Sequence, residues 1–319
     1  MNVVLFFTYE ISLKNWLDSG LLDREIKLYQ ELSSKHKFTF ITYGEDEDKT
    51  IIEDYPFIEV LPIYSVLKKS RNKIVRFFKS FYIAFYVKKN IKEFDLIKTN
   101  QLHGSWIPIL LKLISKKPLY IRTGYNHFSF AREENKNLYT KTFFYYLTKL
   151  SLTFSDCYST TSKVDKDSLL DNFKVKDSEK IKIIPNWVES SAKSSERYLD
   201  RILTVGRLEN QKNYIELIKE LRKSKFTLDI AGEGSLKKEM IECAEKYNVK
   251  INFLGLLSNK ELMDLYSRYK IFLSSSLYEG NPKALLEAMS MGCVIISNKT
   301  RNIEEIIEDN KNGKFFSFK

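Results

Sequence analysis

The 319 residues, 43% hydrophobic and 29% charged, have a globular composition that excludes a disordered chain, and their number asks for two cores of ordinary size. The three cysteines, Cys157, Cys243 and Cys293, are far apart, and the three histidines, His36, His103 and His127, form no Cys/His cluster, which argues against a disulfide framework and a zinc site and fits a reduced, cytoplasmic compartment. The net charge of +11 suits an anionic partner, whether nucleic acid, anionic lipid or a phosphorylated substrate, without choosing among them.

In chain order, residues 2–7 are apolar and β-rich with no basic leader, and are expected to be a first buried strand rather than a signal peptide. Helical spacing follows over 21–32. Residues 38–43 and 58–62 then have strand character, as do the short buried runs 96–100, 119–123, 157–161 and 181–184. Between them, residues 65–92 contain no acidic side chain. Their cations Lys68, Lys69, Arg71, Lys73, Arg76, Lys79, Lys88, Lys89 and Lys92 interleave with Phe77, Phe78, Phe81, Tyr82, Phe85 and Tyr86. Two readings stay open: an amphipathic helix on an anionic membrane surface, or a core helix with aromatics on the sheet and lysines in water. The longest apolar run, 81–87, is too short to cross a bilayer, and no nucleic-acid-binding module is recognised.

The stretch 186–200, with Ser190, Ser191, Ser194 and Ser195 and few large apolar residues, is expected to hold the domain boundary, giving domains 1–189 and 190–319. The alternation then restarts. Strands are expected at 201–206, 226–231, 251–254, 271–274 and 294–297, with helices at 214–223 and 235–247. The predicted architecture is α/β, two doubly wound Rossmann-like domains facing a cleft, with ligands at the C-terminal strand ends.

Three stretches of the second half carry chemistry. In Val205-Gly206-Arg207-Leu208-Glu209-Asn210-Gln211-Lys212, two cations follow a strand end and precede a helix, a combination that suits a diphosphate or, equally, a solvated surface loop. Gly232 and Gly234 punctuate a second strand-to-helix turn, where a plain tight turn outweighs a phosphate cradle. The third, Glu279-Gly280-Asn281-Pro282-Lys283, ends a strand and opens a helix on which Glu287 follows. Helix capping is the bland account of Glu279. Flanked by Leu285, Leu286, Ala288 and Met289, the Glu287 carboxylate is expected to be partnered rather than free.

These stretches, in this order, resemble glycosyltransferase family 4, the retaining transferases of GT-B fold. The Glu-x7-Glu pattern matches Glu279 and Glu287, and Val-Gly-Arg-Leu with Lys212 matches the family's diphosphate-binding Arg and Lys. Phe253-Leu254-Gly255 resembles the strand end before the nucleobase pocket, and Ile184-Pro185-Asn186 the approach to the linker. The resemblance implies a sugar transferred from a nucleoside diphosphate to an acceptor hydroxyl with retained configuration, no metal, and a role in surface polysaccharide, lipopolysaccharide or glycolipid assembly. It implies that Arg207 and Lys212 hold the diphosphate, and that Glu279 with Gly280, Asn281, Pro282 and Lys283 holds sugar and phosphate. Glu287 would bind the ribose, and Gly255, Leu256 and Leu257 would border the base. Gly232 would line the donor site as well.

In the first half, Gly20 stands in for the family's glycine loop near the donor phosphate. His103, Arg122, Tyr125, Asn126 and His127, on loops that follow strands, are the acceptor-side candidates; the bland account of a loop histidine is a solvated surface residue. A lipid-linked acceptor would place the protein at the cytoplasmic face of an inner membrane. Family members normally continue past the position of Gly313 with further helices, so ending at Lys319 implies a C-terminally truncated donor domain. Where relatives often show Gly-Gly, this chain has Arg301-Asn302. Two other readings share the architecture. A sugar-nucleotide 2-epimerase would release epimerised nucleotide without an acceptor, and a catalytically weak nucleotide-sugar-binding partner subunit would show no turnover.

Overall fold

The computed structural model describes residues 1–188 and 196–318. The chain divides into two compact units, Met1–Thr161 with Asp165–Ile184, and Ser162–Val164 with Pro185–Lys319. The division therefore falls after Ile184. Ser190, Ser191, Ser194 and Ser195, in the stretch expected to hold the boundary, lie outside the described residues. The end of that stretch is strand rather than linker, because the strand expected from residue 201 already begins at Tyr198.

Both units are built on parallel sheets. In the first, β1 (Asn2–Phe6), β2 (Lys37–Thr42), β3 (Ile58–Pro62), β4 (Leu96–Thr99), β5 (Leu119–Arg122), β6 (Cys157–Thr160) and β7 (Ile181–Ile183) lie in the order β3-β2-β1-β4-β5-β6-β7. In the second, β8 (Tyr198–Val205), β9 (Thr227–Ala231), β10 (Ile251–Gly255), β11 (Tyr269–Ser274), β12 (Val294–Asn298) and β13 (Lys314–Phe316) lie in the order β10-β9-β8-β11-β12-β13. Helices cover both faces, so the central strands read as continuous apolar runs: Val3, Val4, Leu5 and Phe6 of β1 are all buried. Neighbours in sequence go to opposite faces, as the period of two requires. Ile202 and Leu273 pack with Tyr214, Leu217 and Met240 on one side of the second sheet. Leu203 and Phe272 pack with Tyr266, Leu285 and Ala288 on the other.

In each sheet the strand order reverses once, between β1 and β4 and between β8 and β11. Loops leaving the C-terminal ends of such a pair diverge to opposite faces and open a crevice, which is where open α/β sheets take ligands. The expected strands are all present. Several elements have no counterpart in the sequence reading. One is the helix Leu13–Asp18, started by a capping box in which the Ser12 hydroxyl accepts from the Asn15 amide at 3.1 Å and the Ser12 amide donates to Asn15 Oδ1 at 2.8 Å. Another is β13, only three residues long and paired to β12.

The basic stretch folds as a short helix Ile63–Val66 and a long one, Lys73–Asn90, capped by Asn72, whose Oδ1 accepts from the amides of Ile74 (2.9 Å) and Val75 (3.3 Å). It satisfies neither of the two readings alone. Ser80, Ile83, Ala84 and Val87 are buried, with Phe77 and Phe81 packed against the core. Ile74, Phe78, Tyr82 and Phe85, spaced along a second stripe, are left exposed. Among the described residues no helix is long and apolar enough to cross a membrane.

At the start of the second sheet, Asp229 is fully buried and accepts from four donors: Arg201 Nε (2.5 Å), Arg201 Nη2 (2.6 Å), Tyr269 Oη (2.6 Å) and Asn252 Nδ2 (2.8 Å). Burial alone would raise this carboxyl. The hydrogen bond from Arg201, with those from Tyr269 and Asn252, outweighs it and holds the group below the ordinary carboxylate value. The depressed pKa means that the cluster stabilises the fold fully above pH ~4 and loses that contribution as pH falls through the folded value. Replacing Asp229→Ala should cost about 3 kcal/mol in urea unfolding at neutral pH and make stability fall less steeply on acidification. An unchanged midpoint would show the cluster to be energetically idle.

Candidate active site

The loop that leaves β8 turns at Gly206, runs through Arg207, Leu208 and Glu209, and closes in a 3₁₀ turn, Asn210–Lys212, ahead of the helix Tyr214–Glu220. A side chain at Gly206 would meet Lys212 Cε at 2.8 Å, so the lysine lies back across the glycine. Gly232, at φ +144°, stands against the same turn: a Cβ there would come within 2.1 Å of Gly206 O. At Gly234 a Cβ would come within 2.5 Å of Leu208 O. The loops leaving β8, β9 and β10 are thereby pressed backbone to backbone. The Gly206 amide donates to Ala231 O (3.0 Å), the Leu208 amide to Glu233 O (3.0 Å) and the Gly232 amide to Gly255 O (2.8 Å). Gly232 thus holds the loops together. Gly255, at φ +72°, sits where β10 departs from regular pairing with β9. Leu256 beyond it is 60% exposed.

Across the strand reversal, the loop leaving β11 meets the loop leaving β8. Lys212 Nζ donates to Glu279 Oε1 at 2.5 Å, with both side chains mostly shielded from solvent. The Ser275 hydroxyl donates to Lys212 O (2.5 Å), the Leu277 amide to Gln211 O (2.9 Å) and Gln211 Nε2 to Tyr278 O (2.9 Å). Glu279 is therefore an ion-pair partner and not a helix cap. Gly280 is buried, and the helix Lys283–Ser290 begins one residue after Pro282, which takes the capping position. Asn281 is gripped from both ends: its Oδ1 accepts from the Asn186 amide (2.8 Å) and its carbonyl from Asn186 Nδ2 (2.6 Å). Glu287, 2% exposed, accepts from Tyr266 Oη (3.3 Å) and Asn259 Nδ2 (3.4 Å), both on the helix Asn259–Arg268. The carboxylate in an apolar run is partnered, as its flanks required.

Arg207 is exposed and its guanidinium makes no hydrogen bond or ion pair among the described residues. The structure thus brings together Lys212, Glu279 and the start of the Lys283–Ser290 helix, with Glu287 one to two turns along that helix. A lysine ammonium has three donors, of which Glu279 takes one. The arrangement presents positive charge and backbone amides to an anion, beside a carboxylate able to accept from hydroxyls.

In the first unit, Gly20 does not follow β1. The helix Leu13–Asp18 intervenes, and Gly20, at φ +66°, closes that helix by donating to Leu17 O at 3.0 Å. The turn that does leave β1 contains Tyr9 and Glu10, and Glu10 holds φ +65° without being glycine. Its carboxylate is ion-paired to Arg76 of the helix Lys73–Asn90. No signal in the sequence marks this pair, because the left-handed region favours Gly and Asn, and the partners are 66 residues apart.

The acceptor-side candidates form an aromatic nest at the C-terminal ends of β1, β4 and β5. The Tyr9 amide donates to His103 O at 3.0 Å. The His103 ring meets Tyr9 (5.7 Å), Trp106 (5.5 Å) and Phe144 (6.1 Å) edge-on or tilted. His127 is buried, not solvated. It stacks on Tyr125 at 4.2 Å and packs on Phe144 at 5.4 Å. Burial, helped by the nearby His103, pulls its imidazole down to about 3, so it is neutral at any ordinary pH. Asn126 is committed to capping: Oδ1 accepts from the amides of Phe128 (3.1 Å) and Ser129 (3.3 Å), and Nδ2 donates to Ser168 Oγ (3.2 Å). Arg122 ends β5, and its charge, after burial, helps lower the ammonium of Lys98 on β4 to about 7. Lys98 had no signal in the sequence beyond a lone cation in an apolar strand.

Two family models match the chain from residue 26 onward. The one described as Glycosyltransferase Family 4 spans residues 26–192, and the one described as Glycosyl transferases group 1 spans residues 187–319. A Campylobacter jejuni protein named GalNAc-alpha-(1->4)-GalNAc-alpha-(1->3)-diNAcBac-PP-undecaprenol alpha-1,4-N-acetyl-D-galactosaminyltransferase is 25% identical over 315 residues, which cover 93% of this chain and 81% of that protein. Among solved structures, Anabaena HepE with UDP and glucose superposes with a TM-score of 0.73 at 15% identity, covering 99% of this chain and 85% of that one. Sucrose-phosphate synthase from Thermosynechococcus elongatus gives 0.75 at 16% identity, covering 99% and 85%.

Gly232→Ala places a methyl group against a backbone carbonyl and strains φ, so it should destabilise the second unit by about 2 kcal/mol or more in chemical unfolding. Wild-type stability in that variant would mean that the β8 and β9 loops can separate freely.

Proposed function

This chain belongs to glycosyltransferase family 4 and has the GT-B fold of two Rossmann-like domains, and on that premise we propose that it moves a sugar from a nucleoside diphosphate to an acceptor hydroxyl with retention of configuration and without a metal. The observation that carries this reading is the juxtaposition of Lys212 and Glu279 at the β8/β11 reversal, beside the start of the Lys283–Ser290 helix. Lys212, with Arg207 from the same loop, neutralises the diphosphate as the bond to the sugar breaks. The amides of Gly280, Asn281 and Lys283 point their positive dipole ends at the same charge. Glu279 accepts from sugar hydroxyls while remaining paired to Lys212, and Glu287 accepts from the ribose. Leu256 and Leu257 border the base. In this reading fixed cations and amides do the work that a divalent ion would otherwise do.

The acceptor is read as lipid-linked, in the assembly of a surface polysaccharide, lipopolysaccharide or glycolipid. The Campylobacter relative is named for a polyprenyl diphosphate substrate. The exposed stripe Ile74, Phe78, Tyr82 and Phe85 on a basic helix suits peripheral contact, through residues 65–92, with the anionic cytoplasmic face of a membrane. The aromatic nest around His103, Tyr125 and His127 would receive the acceptor sugar.

A donor-hydrolysis screen over UDP- and GDP-sugars should find turnover that Lys212→Ala lowers by about 10²-fold or more in kcat, with EDTA leaving the wild-type rate unchanged. Undiminished turnover in Lys212→Ala would end the assignment of its role. Proton NMR of the first-formed product should show the anomeric configuration of the donor; an inverted product would remove the retaining mechanism.

A further inference from the structure

A cavity of about 280 Å³ opens in the first unit between the helix Ile63–Val66, the turn after it and the helix Lys73–Asn90. Its size sits near the lower end of small-molecule sites, roughly 300 Å³. It lies beyond the C-terminal ends of β1 and β3, the edge of a parallel sheet at which ligands bind, because Tyr9 and Ile63 both line it. Ile63, Leu67 and Ile83 make apolar walls, and at the rim stand Lys68 and Lys79, both exposed. Arg76 also lines the cavity, but its charge is already matched by Glu10, so the uncompensated positive charge belongs to the two lysines. No acidic residue occurs between residues 65 and 92 to neutralise them locally.

Arg76, Lys79 and Ile83 fall on one face of the Lys73–Asn90 helix, whereas Ile74, Phe78 and Phe85 fall well round the helix from it; Tyr82, exposed and also lining the cavity, lies between the two. An apolar slot with a cationic rim is complementary to one kind of molecule: an apolar chain that ends in an anion.

We propose that this cavity takes the apolar chain of a lipid phosphate, with the phosphate held at the rim by the ammonium groups of Lys68 and Lys79. The proposal rests on the reading of the acceptor as lipid-borne and places its tail in a defined slot. A bilayer surface alone would need only the exposed stripe.

The test is isothermal titration of the full chain with three probes below their micelle concentrations: dodecyl phosphate, dodecyl maltoside with the same chain and a neutral head, and inorganic phosphate. Dodecyl phosphate should bind once per chain and about tenfold tighter than the maltoside, with no saturable binding of inorganic phosphate. Leu67→Trp, which fills the slot, should weaken dodecyl phosphate by about tenfold or more. The double variant Lys68→Gln with Lys79→Gln, which alters only exposed side chains, should bring the phosphate down to the affinity of the maltoside. Equal binding of the two amphiphiles by the wild type would overturn the proposal. So would full binding in Leu67→Trp accompanied by loss in Phe78→Ser, which would move the chain onto the open stripe. The measurement needs no sugar donor and no turnover, so its failure would leave the donor chemistry standing, and the reverse holds too.

Discussion

Lys212 and Glu279 come from loops 67 residues apart in the chain, and the contact between them is what turns two ordinary strand-to-helix turns into one site. It exists because β8 and β11 are neighbours at the place where the strand order reverses. It is placed by backbone, not by the charges. The Ser275 hydroxyl and the Leu277 amide hold the carbonyls of Lys212 and Gln211, and on the other side glycines let the β9 loop come within van der Waals distance of the β8 loop. A buried lysine and a buried glutamate would each cost several kcal/mol alone. Paired, they keep a positive group at the strand ends with donors to spare for an anion.

The two units treat charge in opposite ways at the same edge of their sheets. In the second, the Lys212 ammonium, the Glu279 carboxylate and the start of a helix are gathered at the strand reversal, where the proposed function puts the diphosphate. In the first, aromatic rings desolvate His103 and His127, so that both imidazoles are disfavoured as cations and His127 is held neutral. Arg122 keeps a permanent charge at the end of β5, and the Glu10–Arg76 pair and the basic rim of the neighbouring cavity lie to one side. A neutral, ring-lined surface suits a sugar, whose faces are apolar and whose rim is hydroxyl.

Most of the architecture was legible from the pattern of apolar runs. The run of residues 2–7 reads as a buried strand because parallel strands covered on both faces need no alternation. The helix Leu13–Asp18 was not legible, since its capping box uses Asn where Glu or Gln is usual. That omission displaced the expected glycine loop: Gly20 closes a helix, and the turn out of β1 is shaped by Glu10 instead. The solvated alternative weighed for the lone loop histidine does not hold, because His127 stacks on Tyr125 and packs against Phe144 of the next helix, contacts that its own position in the chain does not reveal.

By itself the sequence determined the succession of strands and helices, the positions of the glycines, and which residues carry charge into the loops, because these depend on local periodicity and on side-chain chemistry. Only the tertiary structure decided which loops meet. The partner of Asp229 is Arg201, that of Glu10 is Arg76, and Glu287 is held by Tyr266 and Asn259. Each of these pairings follows from strand order and helix packing, which are properties of the whole folded chain and leave no mark on the residues nearby.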